Sequence, residues 1–131
     1  MTSHVLYLGD LRTEATHLQS GQKIITDAPV DNEGRGAAFS PTDLAATSLA
    51  SCMITIMGIA AKKRNIDMTG TSADIVKVMS PDPRRISEIQ INIKFPDHLN
   101  DKERTILQRA GETCPVSYSL SSNLKQIVTY S

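Results

Sequence analysis

One uncharged run, the 18 residues from Leu44 to Ala61, constrains the fold of this 131-residue chain more than any other feature. Its length is close to the lower limit of about 17–20 residues for a membrane-spanning helix. It is weakly apolar by membrane standards, however, because it is rich in alanine and contains Thr47, Ser48, Ser51 and Thr55. We therefore interpret the run as the buried central helix of a soluble protein.

Both ends of this helix carry sequence signals. Ser40 is a good N-cap, Pro41 suits the first helical position, and the Asp43 carboxylate can cap the backbone three residues after Ser40. Basic residues 62–64 suit the carbonyl end, and Asn65 is a plausible stop. The pattern predicts a helix of about 24 residues. Its expected apolar face comprises Ala45, Leu49, Cys52, Met53, Ile56, Ile59 and Ala60.

Strand patterns flank the long helix on both sides. Three strands are expected before it, at residues 4–8, 11–18 and 22–26, with a Gly9-Asp10 turn and a loop over 27–38. Strands over 72–79, 86–95 and 124–130 and helices over 100–112 and 114–120 are expected after it. Because strands and helices are grouped rather than alternating, we expect an α+β fold, in one domain spanning residues 1–131. A long helix that is apolar on several sides also predicts a homodimer.

Charge and cysteine usage exclude several classes of function. The 14 basic and 14 acidic side chains give a net charge of zero. No basic excess is therefore available for a phosphate backbone, and we expect no nucleic-acid partner. The first residues lack a basic segment leading into an apolar run, so no signal peptide is expected. The weak apolarity of the run Leu44–Ala61 is the reason that no membrane partner is expected. In a cytoplasmic protein, two cysteines indicate free or catalytic thiols rather than structural disulfides.

The two cysteines have different local settings. Cys52 lies in the middle of the long helix, where a small core hydrophobe is the ordinary interpretation. Cys114 immediately precedes Pro115 and is expected to be a helix N-cap, a position that lowers the pKa of a thiol. A structural cap that happens to be cysteine remains the alternative for Cys114. No metal site is expected, because His4, His17 and His98 have no metal-ligand spacing.

Two segments of the chain resemble the OsmC/Ohr superfamily, which comprises osmotically inducible protein C and the organic hydroperoxide resistance proteins. Segment Phe39–Cys52 is similar to the superfamily's Pro-x-x-Leu opening and small-residue helix with its reactive cysteine. Segment Thr113–Ser117 is similar to its second cysteine, which is followed by proline at a helix start. The order of strands and helices is similar as well, and the chain looks closest to the OsmC-like branch.

The resemblance implies a fold, a chemistry and partners. The fold would be an intertwined homodimer, in which long central helices pack between small antiparallel sheets. As a thiolate, Cys52 would attack an organic hydroperoxide and become a sulfenic acid, and Cys114 would then close a disulfide. An external dithiol would restore both thiols, and no cofactor is expected. Because a thiolate in apolar surroundings needs a cation nearby, the superfamily's arginine, held by a glutamate, is part of this expectation.

The sequence departs from the superfamily at the residues that would support the thiolate. Thr42 stands at the position of the glutamate, and Asp43 is shorter and one residue later. The arginine has two candidates, Arg35 in the loop before the helix and Arg12 on the second strand. We prefer Arg35 because its flanking glycines allow close backbone approach.

Three functions are compatible with the sequence. The leading one is a thiol-dependent peroxidase that acts on organic hydroperoxides in oxidative stress defence. The second is a non-enzymatic protein that binds a small apolar ligand in the same pocket, an alternative favoured by the missing glutamate. The third is a redox sensor, which no residue of the sequence specifically favours. A Cys52→Ser substitution should abolish turnover under the first hypothesis and leave ligand binding nearly intact under the second.

Overall fold

A computed structural model describes residues 1–131 as two compact units, Met1–Ala45 and Ala46–Ser131. The α+β class predicted from the sequence is confirmed. Six strands, three helices and a short 3₁₀ turn follow one another along the chain. In order, these are β1 (Ser3–Gly9), β2 (Arg12–His17), β3 (Lys23–Asp27), the 3₁₀ turn (Val30–Asn32), α1 (Pro41–Lys63), β4 (Ser72–Ser80), β5 (Arg85–Lys94), α2 (Asp101–Gly111), α3 (Pro115–Ser119) and β6 (Lys125–Tyr130).

The first unit contains the predicted meander of three antiparallel strands, in the order β1-β2-β3. The β1–β2 turn lies one residue later than predicted. Asp10 and Leu11 are its central residues, with left-handed φ values of 54° and 61°, which match the hairpin turn that suits twisted strands. Gly9, which the sequence placed in the turn itself, pairs with Arg12 next to a register shift and has φ 86°.

Strand β1 is an edge strand with a run of exposed apolar side chains. Val5, Leu6, Tyr7 and Leu8 are 59%, 52%, 63% and 48% exposed. Because successive side chains point to opposite faces of a sheet, both faces of β1 present apolar surface to solvent. A long, exposed, apolar edge strand is a template for pairing with another chain.

The loop between β3 and α1 is fastened to the end of β3. Asp27 is fully buried, and its Oδ2 accepts a hydrogen bond from the Ala37 N–H at 3.0 Å. The Asp27 N–H in turn donates to the Phe39 carbonyl. Gly34 passes so close to this turn of chain that a Cβ atom there would lie 1.7 Å from the Ala28 carbonyl oxygen. Glycine at position 34 therefore serves the packing of the loop itself.

Helix α1 begins where the sequence predicted. The Asp43 N–H donates to Ser40 Oγ at 3.1 Å, and the Ser40 N–H donates to Asp43 Oδ2 at 2.9 Å. This reciprocal pair is a capping box with aspartate in place of the usual glutamate. The helix runs for 23 residues and ends at Lys63.

In the second unit, the buried face of α1 is rotated from the predicted one. The residues that face the core are Ala46, Leu49, Ala50, Met53, Met57 and Ala61. Ile59, expected in the core, is 50% exposed, and Cys52 is half-buried. The periodicity misplaced the face because the helix is uncharged around most of its circumference. By length and composition alone α1 could span a membrane, but here it is the core helix of the unit.

The second sheet has the order β4-β5-β6 and differs from the prediction in one pairing. Strands β4 and β5 are antiparallel, but β6 runs parallel to β5, so this sheet is mixed rather than antiparallel. The chain passes through α2 and α3 between β5 and β6, and such a crossover is what a parallel pair requires. Ile89, Ile91 and Ile93 of the central strand are almost completely buried against the core.

Candidate functional site

The structure brings the two cysteines together inside the second unit. The Cys114 thiol hydrogen-bonds with the Cys52 side chain, and the Cys114 sulfur lies 4.0 Å from the Leu49 carbonyl oxygen. Cys114 is fully buried, whereas Cys52 is half-buried and packs against the core cluster to which Cys114 belongs. Helix α1 therefore supplies Cys52, which lies one turn after Leu49, and the residue before α3 supplies Cys114.

Cys114 is the N-cap of α3, as predicted, and Pro115 occupies the first helical position. The backbone N–H groups of Ser117 and Val116 act on its sulfur and lower its pKa, although the side chain makes no capping hydrogen bond of full geometry. The backbone at Cys114 is extended, with φ −65° and ψ 126°, as is usual for an N-cap residue.

The amides at the start of α3 lower the pKa of Cys114, as predicted, but the net shift is upward rather than downward. Burial raises the pKa of the Cys114 thiol above its ordinary value, and the hydrogen bond with Cys52 raises it further. The amides of Ser117 and Val116 lower it by less. A helix of five residues offers few aligned dipoles, so loss of hydration dominates. Cys114 therefore keeps its proton at neutral pH.

The acidic candidate Asp43 and its neighbour Thr42 both lie in the first turn of α1, in the first unit. The Asp43 carboxylate accepts the capping hydrogen bond from Ser40, and Thr42 Oγ1 lies 3.2 Å from Ser40 Oγ. The side chain at the superfamily's glutamate position is therefore a hydroxyl within the cap of the helix.

The two candidate arginines, also in the first unit, differ in burial. Arg35 is exposed and lines an open depression of about 460 Å³ together with Asp10, Leu11, Glu33 and Gly34. Arg12 is half-buried, and its Nε is buried without a hydrogen-bond partner. Gly34, just before Arg35, is needed because a side chain there would collide with the Ala28 carbonyl. The glycine therefore serves the loop, and it no longer gives a reason to prefer Arg35.

Arg12 stands directly opposite Asp27 in the pairing of β2 with β3. Asp27 Oδ1, like Arg12 Nε, is buried and has no hydrogen-bond partner. The Arg12 guanidinium and the Asp27 carboxylate, on paired residues of β2 and β3, therefore each have one buried atom without a hydrogen-bond partner. Sequence analysis did not single out Asp27, since an aspartate at the end of a strand is common in turns.

A second contact missed by sequence analysis lies beside the cysteines. Ser117 Oγ donates to Gln126 Oε1 at 2.6 Å, and Gln126 Nε2 donates to the Ser117 carbonyl at 3.1 Å. One feature of the sequence could have revealed this contact. Gln126 alternates with Val128 and Tyr130 along β6 and so shares their core-facing side, where a polar side chain is unusual.

Comparison with known proteins identifies the family of the chain. The family model described as OsmC-like protein matches residues 34–128. The chain belongs to the OsmC-like family. Both segments that resembled the superfamily, Phe39–Cys52 and Thr113–Ser117, lie within the matched residues.

Solved structures are similar to this chain at two levels of sequence identity. A protein of Psychrobacter arcticus, assigned to the osmotic stress induced and detoxification response, is 56% identical with a TM-score of 0.95, over 100% of this chain and 96% of that one. The organic hydroperoxide resistance protein OsmC of Legionella pneumophila is 19% identical with a TM-score of 0.74, over 100% and 97% of the two chains. The organic hydroperoxide resistance protein OhrB of Bacillus subtilis is 18% identical with a TM-score of 0.70, over 100% and 98%.

The Legionella and Bacillus likenesses show a shared fold only. No protein of curated function matches the sequence.

Proposed function

We propose that this OsmC-like protein is a thiol-dependent peroxidase that reduces organic hydroperoxides. Cys52 attacks the peroxide, and Cys114 resolves the product. The observation that carries the proposal is the contact between the two thiols within one unit. In a core that is otherwise aliphatic and aromatic, two cysteines on different helices meet side chain to side chain.

The roles of the two cysteines follow from exposure and protonation. Cys52 is half-buried and can be reached by a small molecule, whereas Cys114 has no exposed surface. Burial and the hydrogen bond with Cys52 hold the pKa of Cys114 above its ordinary value, so the Cys114 sulfur stays protonated. A buried, protonated Cys114 is suited to resolve an oxidised neighbour rather than to meet the peroxide first. In this proposal the attack therefore belongs to Cys52.

The chemistry balances in two steps. The Cys52 thiolate attacks one oxygen of the hydroperoxide, the O–O bond breaks, and the alkoxide leaves and takes up a proton as the alcohol. Sulfur loses two electrons and becomes a sulfenic acid, while the peroxide gains them. Cys114 then displaces hydroxide from the Cys52 sulfur, and its proton leaves with that hydroxide as water. An external dithiol reduces the disulfide in the cytoplasm, and no bound cofactor takes part.

The surroundings of Cys52 favour an organic substrate over hydrogen peroxide. Cys52 packs against a core cluster of aliphatic side chains, methionines and Phe95. An alkyl or fatty-acid chain gains about 0.8 kcal/mol for each CH₂ group buried against such a surface, whereas hydrogen peroxide has no such group.

Of the two candidate arginines, both in the first unit, Arg12 is the one to test as a supporting cation. Its guanidinium is half-buried, and its Nε has no hydrogen-bond partner. The exposed Arg35 has its charge in water, where an ion pair contributes little.

The protein acts as a homodimer in this proposal. In the first unit, β1 exposes apolar side chains on both faces. In the second unit, α1 exposes an uncharged stripe of Ser48, Ser51, Thr55 and Ile59 along about three turns. A second copy of the chain supplies matching surfaces for both, as in an isologous interface.

Cumene hydroperoxide tests the proposed activity directly. One equivalent, added to reduced protein, should consume two thiols per chain within seconds, and an equivalent of hydrogen peroxide should react more slowly. Thiol loss at the rate of free cysteine in solution would contradict the peroxidase. The non-enzymatic ligand-binding protein would then be the better hypothesis, since Thr42 replaces the glutamate of the superfamily.

A further inference from the structure

Helix α3 carries Cys114 but is too short to hold it in place. It has five residues, Pro115–Ser119, and its C-cap Leu120 is already extended. Isolated helices shorter than about 12–15 residues are marginal in water, so α3 depends on its contacts with the rest of the unit. The position of the Cys114 sulfur is therefore set by whatever fixes α3.

Val116 of α3 packs against the core. The polar contact that ties α3 to β6 is a pair of hydrogen bonds between Ser117 and Gln126, the Ser117–Gln126 clamp. The Ser117 hydroxyl donates to Gln126 Oε1 at 2.6 Å, and Gln126 Nε2 donates to the Ser117 carbonyl at 3.1 Å. Both polar atoms of the glutamine are thus bound to one residue of α3.

Gln126 is itself firmly anchored. It is the second residue of β6 and pairs in register with Ile89, which is fully buried on the central strand β5. Its side chain lies on the same face of β6 as Val128 and Tyr130, both of which pack against the core. An amide on such a face costs free energy unless it is hydrogen-bonded, and here Ser117 satisfies it.

Ser117 also acts on the cysteine. The backbone amides of Ser117 and Val116, which follow Cys114 by three and two residues, lower the pKa of its thiol. Gln126 therefore holds Ser117 by its hydroxyl and its carbonyl, and the backbone amide of the same Ser117 acts on the Cys114 thiol.

We propose that the Ser117–Gln126 clamp positions Cys114 for reaction with Cys52. By tying α3 to β6, it keeps the Cys114 sulfur against its partner. The inference rests on the proposed function, in which the two cysteines form a disulfide. Gln126 and Ser117 are positioning residues and do not contact the substrate.

Glutathione buffers test the clamp without any peroxide. Oxidised glutathione forms a mixed disulfide at Cys52 and releases one reduced glutathione. The Cys114 thiol then displaces a second reduced glutathione, and its proton leaves with it. Equilibration over a series of glutathione ratios, followed by acid quench, alkylation and mass spectrometry, gives the effective concentration of Cys114 for Cys52.

Gln126→Leu removes both hydrogen bonds and places an apolar residue on a core face. We expect it to lower that effective concentration about tenfold, the effect of about two neutral hydrogen bonds. Ser117→Ala removes one bond and should lower it about threefold. Gln90→Leu is the matched control, since Gln90 lies on the opposite face of the same sheet with its amide on Glu88, and it should match wild type.

The inference is overturned if Gln126→Leu and Ser117→Ala give the same effective concentration as Gln90→Leu. A clamp with a purely structural role would lower the thermal midpoint of unfolding and leave the disulfide equilibrium at the control value. Failure to form any Cys52–Cys114 disulfide in wild type would also overturn it. A protein with normal disulfide exchange but no reaction with cumene hydroperoxide would contradict the peroxidase alone.

Discussion

Cys114, at the N-terminus of α3, hydrogen-bonds with Cys52 in the middle of α1, and both belong to the unit Ala46–Ser131. The pair therefore needs no side chain of the first unit to be assembled. The proposed mechanism can accordingly be tested one element at a time.

Arg12 and Arg35 should differ in their effects on the first chemical step. Arg12→Gln is expected to slow the loss of thiols to cumene hydroperoxide by about ten- to a hundredfold, the range for a hydrogen bond to a charged group. Arg35→Gln, at an exposed position, should change the rate less than about twofold. Stopped-flow kinetics with one equivalent of peroxide provides the comparison. Equal effects, or a larger loss in Arg35→Gln, would reject Arg12 as the supporting cation.

Strand β1 should control the association of chains. Val5→Lys places a charge on its exposed apolar surface and is expected to shift the protein from dimer to monomer in sedimentation velocity experiments. Val76→Lys is the matched control, because Val76 on β4 is similarly exposed, 53% against 59% for Val5. The control should sediment like wild type. If Val5→Lys remains dimeric, β1 does not form the interface.

Removal of the Tyr130 hydroxyl should stabilise the fold or leave it unchanged. The hydroxyl is buried without a hydrogen-bond partner, while the ring stacks on Phe95 with centroids 6.0 Å apart. Tyr130→Phe keeps the stacking and removes a desolvated polar group, so the free energy of unfolding should rise by about 0–1 kcal/mol. Urea denaturation at neutral pH measures this change. A loss of more than about 1 kcal/mol would show that the hydroxyl has a stabilising partner.

The same tyrosine gives an alkaline pH dependence. Burial, and to a lesser extent the nearby Glu112, raises the pKa of Tyr130. The unfolded phenol loses its proton at about pH 10, whereas the folded one keeps it longer, so stability falls as pH rises between the two values. This loss should be smaller in Tyr130→Phe. Tyr118→Phe, at a position 73% exposed, is the control and should follow wild type.

Local signals in the sequence predicted the bounds of the helices and the N-cap role of Cys114. The start of α1 was predictable because Ser40 and Asp43 make their hydrogen bonds within one turn of helix. Cys114 was predictable as an N-cap because Pro115 favours the first helical position. Both features depend on residues that are close in sequence.

Features that depend on tertiary packing could not be predicted. The buried face of α1 was misplaced because an uncharged helix presents apolar residues in every direction, and only contact with β5 selects one. The pKa of Cys114 follows from its complete burial, which outweighs its favourable local position. The pairing of Ser117 with Gln126 depends on β6 returning parallel to β5, which no residue pattern indicated.

Trapping of the oxidised intermediate tests the central claim most directly. Reduced wild type, Cys52→Ser and Cys114→Ser are each mixed with one equivalent of cumene hydroperoxide in the presence of dimedone, and the products are identified by mass spectrometry. We expect a Cys52–Cys114 disulfide in wild type, a dimedone adduct at Cys52 in Cys114→Ser, and no rapid oxidation in Cys52→Ser. An adduct at Cys114, or rapid thiol loss in Cys52→Ser, would contradict it.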